Sequence, residues 1–271
     1  MYTKSEIFEQ LCAMGAPRDG IVIMHTSLRS VGDVEGGGVG LLDAMIEYFT
    51  AEGGLFCVPT HTWANLGKDK ITLDFINPES NLGTFSVLAA RDGRGVRSEN
   101  PTHSMVVFGD SERAAKFIFD DVNAKTPTSP ETCYGKIING GGKVLLVGVS
   151  QNKNTLLHCV AEILDLPNRM GSEEIPVTVR RDTGEIVERK IFLYDTDYTS
   201  DISWRFPQYD TAFRYHGYIR DGFVGDAPAQ LCDAVGMRDT VELIWKNSGG
   251  ADPLADEHPI PPAWYVRPRA K

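Results

Sequence analysis

The chain has 271 residues, 24% of them charged and 42% hydrophobic, an ordinary globular balance with enough material for one sizeable core. A formal net charge of -10 argues against nucleic acid or an anionic membrane as a partner and suits a polycationic small molecule better. Five scattered cysteines show no CxxC or zinc spacing, and no run of about 18 apolar residues occurs, so a reduced, cytoplasmic protein is expected.

Thr3-x-x-Glu6 is a capping box for a helix over Lys4 to Met14, ended by Gly15 and Pro17. Gly20 to His25 is a strand opening into the loop Thr26-Ser27-Leu28-Arg29-Ser30-Val31-Gly32. Three glycines, 36 to 38, precede a helix over Leu41 to Phe49, and a second strand, Leu55 to Pro59, ends in Thr60-His61-Thr62-Trp63. Residues 64 to 82 lack a period and read as a long excursion at a strand end, where loops carry function. Phe85 to Ala90 is helical, and the loop through Thr102-His103-Ser104 leads into a strand over Met105 to Phe108. A helix over Ser111 to Phe119, a turn-rich segment Thr126 to Pro130 and a short helix Tyr134 to Ile138 follow.

The apolar run Lys143 to Val149 reads as a buried strand, and the polar stretch Ser150 to Asn154 hands over to a helix. Leu156, Val160, Ile163 and Leu164 form that helix's apolar stripe. Thr155, His158 and Glu162, at i, i+3 and i+7, fall within about 60° of one another on a different face. A base, a carboxylate and a hydroxyl thus emerge together at the end of a core strand, where open α/β sheets place ligands. The plainer alternative is an exposed His–Glu pair on an ordinary amphipathic helix.

Beyond this helix, Ile175 to Arg180 and Ile186 to Tyr194 alternate around Arg181-Asp182-Thr183-Gly184, a hairpin signal. Tyr218 to Val224 and Ala229 to Asp233 add strand, Asp239 to Lys246 is a closing helix, and a tail with five prolines is expected to lie extended on the surface. Strand and helix alternate through the first 165 residues. That pattern predicts a three-layer α/β/α fold with a central, mainly parallel sheet, plus an antiparallel hairpin part.

The glycine-rich entry at 36 to 38 can offer free backbone N–H groups to a phosphate, although it is neither a P-loop nor a dinucleotide fingerprint. Histidines 25, 61, 103 and 158 lie at or just after strand ends, yet no HxH or HxxxH spacing supports a metal cluster. Cys159 points about 100° away from His158 on the helix and reads as packing, not as a nucleophile. Ser27 and Ser104 lack a GxSxG elbow.

Five motifs in order carry a specific resemblance. They are His25-Thr-Ser-Leu-Arg-Ser-Val-Gly32, Arg97-Ser-x-Asn-Pro-Thr-His-Ser104, Ser129-Pro-x-x-x-Tyr-Gly-Lys136, Gly142-Lys-Val-Leu-Leu-Val-Gly148 and Asn154-Thr-Leu-Leu-His-x-x-x-Glu162. From about residue 4 to 247 the chain resembles the aminoglycoside N3-acetyltransferase family. The resemblance implies acetyl-coenzyme A as co-substrate and an amine as acceptor, with no covalent enzyme intermediate; one acetyltransferase domain over 1–271 is expected, and, from the histidine spacing, no metal. It implies that His158 is the catalytic base with Glu162 supporting it. It also implies that Thr26, Ser27, Leu28, Arg29, Ser30, Val31, Thr102, His103 and Ser104 line the coenzyme side. The excursions 64–82 and 195–217 match no motif, and the acceptor is expected there. Their acidic residues, Asp69, Asp74, Asp195, Asp197 and Asp210, are the expected partners of a polycation's ammonium groups. A monomer or homodimer is expected.

The residue chemistry is consistent with this. A protonated amine cannot attack a thioester, and a histidine with a reference pKa near 6.5 suits removal of its proton. A carboxylate on the other ring nitrogen would fix the tautomer and stabilise the imidazolium. Thr155's hydroxyl, or backbone N–H groups at Ser27 and Ser104, are the candidate donors to the oxyanion. The alternatives are the same chemistry on an amino-sugar, nucleotide or phosphonate amine, a metal-dependent amidohydrolase using the strand-end histidines, and a non-catalytic coenzyme A binder.

Overall fold

The structure is a computed structural model and describes residues 1–68, 70–195 and 201–266. Ten strands and nine α-helices are seen among them. The first half runs α1 (Lys4–Ala13), β1 (Ile21–Thr26), α2 (Gly37–Thr50), β2 (Leu55–Pro59), β3 (Leu73–Asp74), α3 (Thr84–Arg91), β4 (Val96–Arg97), β5 (Met105–Phe108) and α4 (Ser111–Ile118). The second runs α5 (Cys133–Asn139), β6 (Lys143–Val147), α6 (Leu156–Ile163), β7 (Met170–Arg180), β8 (Ile186–Tyr194), α7 (Asp210–Tyr215), β9 (Ile219–Val224), β10 (Ala227–Asp233), α8 (Ala234–Asn247) and α9 (Pro262–Tyr265).

Seven strands form the central sheet in the order β4-β5-β2-β1-β6-β10-β9. β2, β1 and β6 pair in parallel at its centre. β5 and β4 continue it antiparallel on one side, and β10 and β9 on the other. Antiparallel pairing therefore reaches beyond the expected hairpin. That hairpin, β7–β8, stands apart with β3 in a second, three-stranded sheet.

The three layers follow from strand alternation, because successive side chains point to opposite faces. Ile23, Cys57, Met105, Val107, Val144, Leu146 and Cys232 face α4, α5, α6 and α8. Val22, Met24, Phe56, Val58, Val106, Phe108, Leu145 and Val147 face α1, α2 and α3. Each large apolar side chain so buried stabilises the fold by about 1.5–3 kcal/mol.

Local signals set several boundaries. The capping box at α1 is present, with Thr3 and Glu6 each hydrogen-bonded to the other's backbone N–H. The closing helix begins at Ala234, five residues before its expected start, because Asp233 caps it by accepting from the Gly236 N–H at 2.8 Å. The described part of the tail, to residue 266, follows the surface but is anchored to the core and ends in a short helix, not in an extended strand. Leu254, Ile260 and Tyr265 are buried against the α4–α8 side of the sheet, since these apolar residues between the prolines have a core face to pack on.

Candidate active site

The carboxyl ends of β1, β2 and β6 open into a cavity of about 800 Å³. Gly148 lets the chain leave β6 there. It sits at φ +63°, and a Cβ would lie 2.5 Å from the Ser30 Cβ, so only glycine permits this approach. A short 3₁₀ turn, Gln151–Lys153, then aims α6 so that Thr155 and His158 face the cavity.

The cavity gathers Thr26, Ser27, Leu28 and Arg29 after β1, His103 before β5, Thr155 and His158 on α6, and Asp195 after β8. Other expected residues have different posts. Ser30 bonds the Ser27 hydroxyl at 2.8 Å, and Val31 is fully buried in the core. Thr102 contacts the His103 ring at 3.1 Å, and the Ser104 hydroxyl donates to the Thr60 carbonyl at 2.8 Å. Ser27's backbone N–H donates to the Val147 carbonyl at 2.9 Å, so it is not free to serve an oxyanion. Asp74 is paired with Arg180 and caps the Ile76 and Asn77 N–H groups. Burial alone would raise its pKa, but these bonds hold it at about 2. Asp210 is paired with Arg214 at 2.5 Å. Neither aspartate lines the cavity: Asp74 is engaged by Arg180 of β7, and Asp210 by Arg214 one turn along α7. Asp69 and Asp197 lie outside the described residues.

Glu162 departs from expectation in its partner. No hydrogen bond joins it to His158; its two carboxylate oxygens accept from the Thr126 and Thr128 hydroxyls. Burial raises its pKa, and the threonine bonds oppose that shift. The His158 ring is held instead by aromatic neighbours. Tyr194 stacks on it with centroids 4.0 Å apart and planes at 11°, and Phe206 meets it edge-on at 4.8 Å.

Four histidines surround the cavity floor, and all are driven neutral. Burial pushes His25, His103 and His158 down to about 3 and His61 well below its ordinary value. The Arg169 guanidinium adds to the effect at His158. His61 and His103 lie with ring centroids 4.1 Å apart. The Tyr134 hydroxyl donates to the His103 carbonyl at 3.1 Å and meets His61 Nε2 at 2.9 Å, so His61 is the donor there. His25 Nε2 is buried without a hydrogen-bond partner.

Several wall residues were not anticipated. Trp63, Asn81, Leu82 and the start of α3 (Gly83 to Ser86) form one side, and Tyr194, Asp201, Ile202 and Ser203 the other. Arg97 binds the excursion 64–82 to this wall. Its guanidinium donates to the Thr60 and Glu79 carbonyls at 3.0 and 2.9 Å, and to the Ser104 hydroxyl at 3.2 Å. Burial lowers its pKa to about 10. The charges divide, with Arg29 and Lys153 cationic and Asp195 and Asp201 anionic. Lys153 Nζ lies 5.0 Å from the Trp204 ring centroid at the rim.

A neutral imidazole and a hydroxyl lining one cavity can take a proton from an amine and support acyl transfer. The fold and the site thus define an α/β/α acyltransferase. A model of the family described as aminoglycoside 3-N-acetyltransferase matches residues 23–244. Aminoglycoside N(3)-acetyltransferase IV from Salmonella sp is 27% identical over 95% of this chain and 91% of its own length. Aminoglycoside N(3)-acetyltransferase VIII from Streptomyces fradiae is 28% identical over 92% of this chain and 94% of its own. Among solved structures, a mutant of aminoglycoside acetyltransferase AAC(3)-IVa in complex with gentamicin superposes with a TM-score of 0.73 at 25% identity, covering 88% of this chain and 86% of that one. A binary complex of AAC-IIIb with CoASH shares the fold, with a TM-score of 0.74 at 22% identity over 88% of this chain and 94% of that one. The chain belongs to the aminoglycoside 3-N-acetyltransferase family, and it is an N-acetyltransferase.

Proposed function

We propose that the protein moves the acetyl group of acetyl-coenzyme A directly to the 3-amine of an aminoglycoside, with His158 as general base. The observation that carries this reading is the His158 imidazole, kept neutral and stacked in place inside the cavity. The relatives' names and the gentamicin- and CoASH-bound neighbours support the acceptor and the donor. In this reading the chain acts as a single acetyltransferase domain, with the excursions 64–82 and 195–217 forming the acceptor side.

The amine nitrogen attacks the thioester carbon, and His158 takes the proton the nitrogen must lose. Thr155's hydroxyl is the candidate donor to the resulting oxyanion, since it lines the cavity one helical turn from His158. Collapse breaks the C–S bond, and the coenzyme leaves as a thiol carrying the proton from the imidazolium. Arg29 and Lys153 suit the coenzyme's phosphates, while Asp195 and Asp201 suit acceptor ammonium groups.

One observation favours the alternative of an amine that carries its own anion, such as a nucleotide or phosphonate amine. Among the described cavity residues, cationic and anionic side chains are equal in number. Release of free thiol from acetyl-coenzyme A across a panel of amines decides between them, with aminoglycosides expected to give the fastest turnover. His158→Ala is expected to keep coenzyme binding and to lose about 10²-fold or more in turnover. Near-normal turnover by that variant removes His158 as the base.

A further inference from the structure

The sequence places His158 and Glu162 on one helical face, yet the structure does not bond them. The route between them runs outside the helix. Glu162 Oε1 accepts from the Thr128 hydroxyl. That hydroxyl has spent its one proton, so it must accept from the Tyr194 hydroxyl, 2.7 Å away. The Tyr194 ring then lies flat on the His158 imidazole at 4.0 Å, and the His103 ring stands nearly perpendicular to it with centroids 5.6 Å apart.

We propose that Tyr194 is the positioning residue for the His158 imidazole, and that Glu162 acts on His158 through Thr128 and Tyr194 rather than by a direct hydrogen bond. Three features of the structure point this way. First, every hydroxyl in the chain has one consistent donor direction, and the chain ends on a carboxylate that a second threonine, Thr126, also holds. Secondly, the stacked planes differ by only 11°, so the phenol fixes both the tilt of the imidazole and the side from which an acceptor can reach it. Thirdly, Tyr194 ends β8 while Thr128 and Glu162 belong to other elements. The chain of bonds therefore locks a strand end, a loop and α6 around the base. A parallel phenol face also favours the imidazolium that forms when His158 takes a proton.

The inference rests on His158 being the base, and the test separates the two. Turnover and both KM values are measured for Tyr194→Phe, Tyr194→Leu, Thr128→Val, Thr128→Ser and Glu162→Gln, and for the pair Tyr194→Phe with Glu162→Gln. Nuclear magnetic resonance of the His158 ring protons in the same proteins reports the ring current of the stacked phenol without any turnover. Tyr194→Phe and Thr128→Val are each expected to lower kcat about tenfold with KM unchanged within about twofold, the scale of one buried hydrogen bond. Thr128→Ser is expected to restore the rate. Tyr194→Leu should cost more than Tyr194→Phe and remove the stacked ring's part of the ring-current shift, leaving that of Phe206. Glu162→Gln should cost clearly less in the Tyr194→Phe background than in the wild type, since one path carries both effects. Normal kcat in Tyr194→Phe and Thr128→Val, or full additivity in the pair, overturns the inference even when His158→Ala is inactive. An active His158→Ala protein instead overturns the reading beneath it, whatever the ring-proton shifts show.

Discussion

His158 is the residue on which the reading turns, and its surroundings set its chemistry. An exposed histidine would be half protonated near pH 6.5. Here burial, with the Arg169 charge behind it, brings the value to about 3. The base is therefore ready over the whole range in which an enzyme works, at the cost of basicity. Arg169 is the charged group that opposes its protonation, while the neighbouring His61 and His103 are themselves held neutral by burial. The expected outcome is that the His158 ring stays neutral at pH 5, read from its imidazole nitrogen shifts in the free protein. A protonation midpoint near 6.5 would mean that the ring swings out to solvent.

At the scale of elements, the cavity wall at Ile202 and Ser203 depends on a distant part of the chain. Arg169 at the entry to β7 forms a buried bidentate pair with Asp252 of the tail, at 2.6 and 2.9 Å. Arg205, in the 3₁₀ segment Ile202–Tyr209, donates to the Leu254 and Ala255 carbonyls at 2.7 and 2.6 Å. The same segment carries Phe206 against His158 and supplies Ile202 and Ser203 to the cavity wall. Asp252→Asn would leave the Arg169 guanidinium buried without its counter-charge. That change is expected to cost about 3–5 kcal/mol, measured by denaturant unfolding. Removing the exposed partner Glu47 of Lys4 should change stability little, because water screens that pair. Equal effects of the two changes would show that the tail does not hold the wall.

At the scale of the whole molecule, the four cavity histidines form a store of acid sensitivity. Each has a folded-state pKa below its unfolded value, so between about pH 6.5 and 3 the unfolded chain binds more protons than the folded one. Stability must then rise with pH across that window and fall as pH drops through it. Each histidine contributes a slope of up to about 1.4 kcal/mol per pH unit. The melting temperature is expected to decline from pH 6.5 to 5, above the range in which carboxylates such as Asp74 begin to titrate. A flat melting temperature across that interval would mean that the histidines are already solvated in the native state. Among the described residues no helix is long and apolar enough to cross a membrane.

The local parts of this molecule were legible in the sequence because their causes are local. The capping box at Thr3, the apolar runs of β1, β2 and β6, and the turn between β7 and β8 depend on residues within a few positions of one another. The helical step likewise put Thr155 and His158 on one face, and the fold turns that face into the cavity. What the pattern could not supply is any partner chosen across the chain. Spacing suggested a direct Glu162–His158 bond, but Thr126 and Thr128 arrive from a loop more than thirty positions away and take both carboxylate oxygens. Asp74 and Asp210 carry the expected charge but are paired with Arg180 and Arg214 and lie outside the cavity lining. Tyr194 bears no mark of function in the local sequence, and Arg97 and Asp201, though inside a motif and an expected acceptor segment, carry no local sign of their partners. Their place at the site follows from strand order and loop docking, which set long-range neighbours that a local period does not encode.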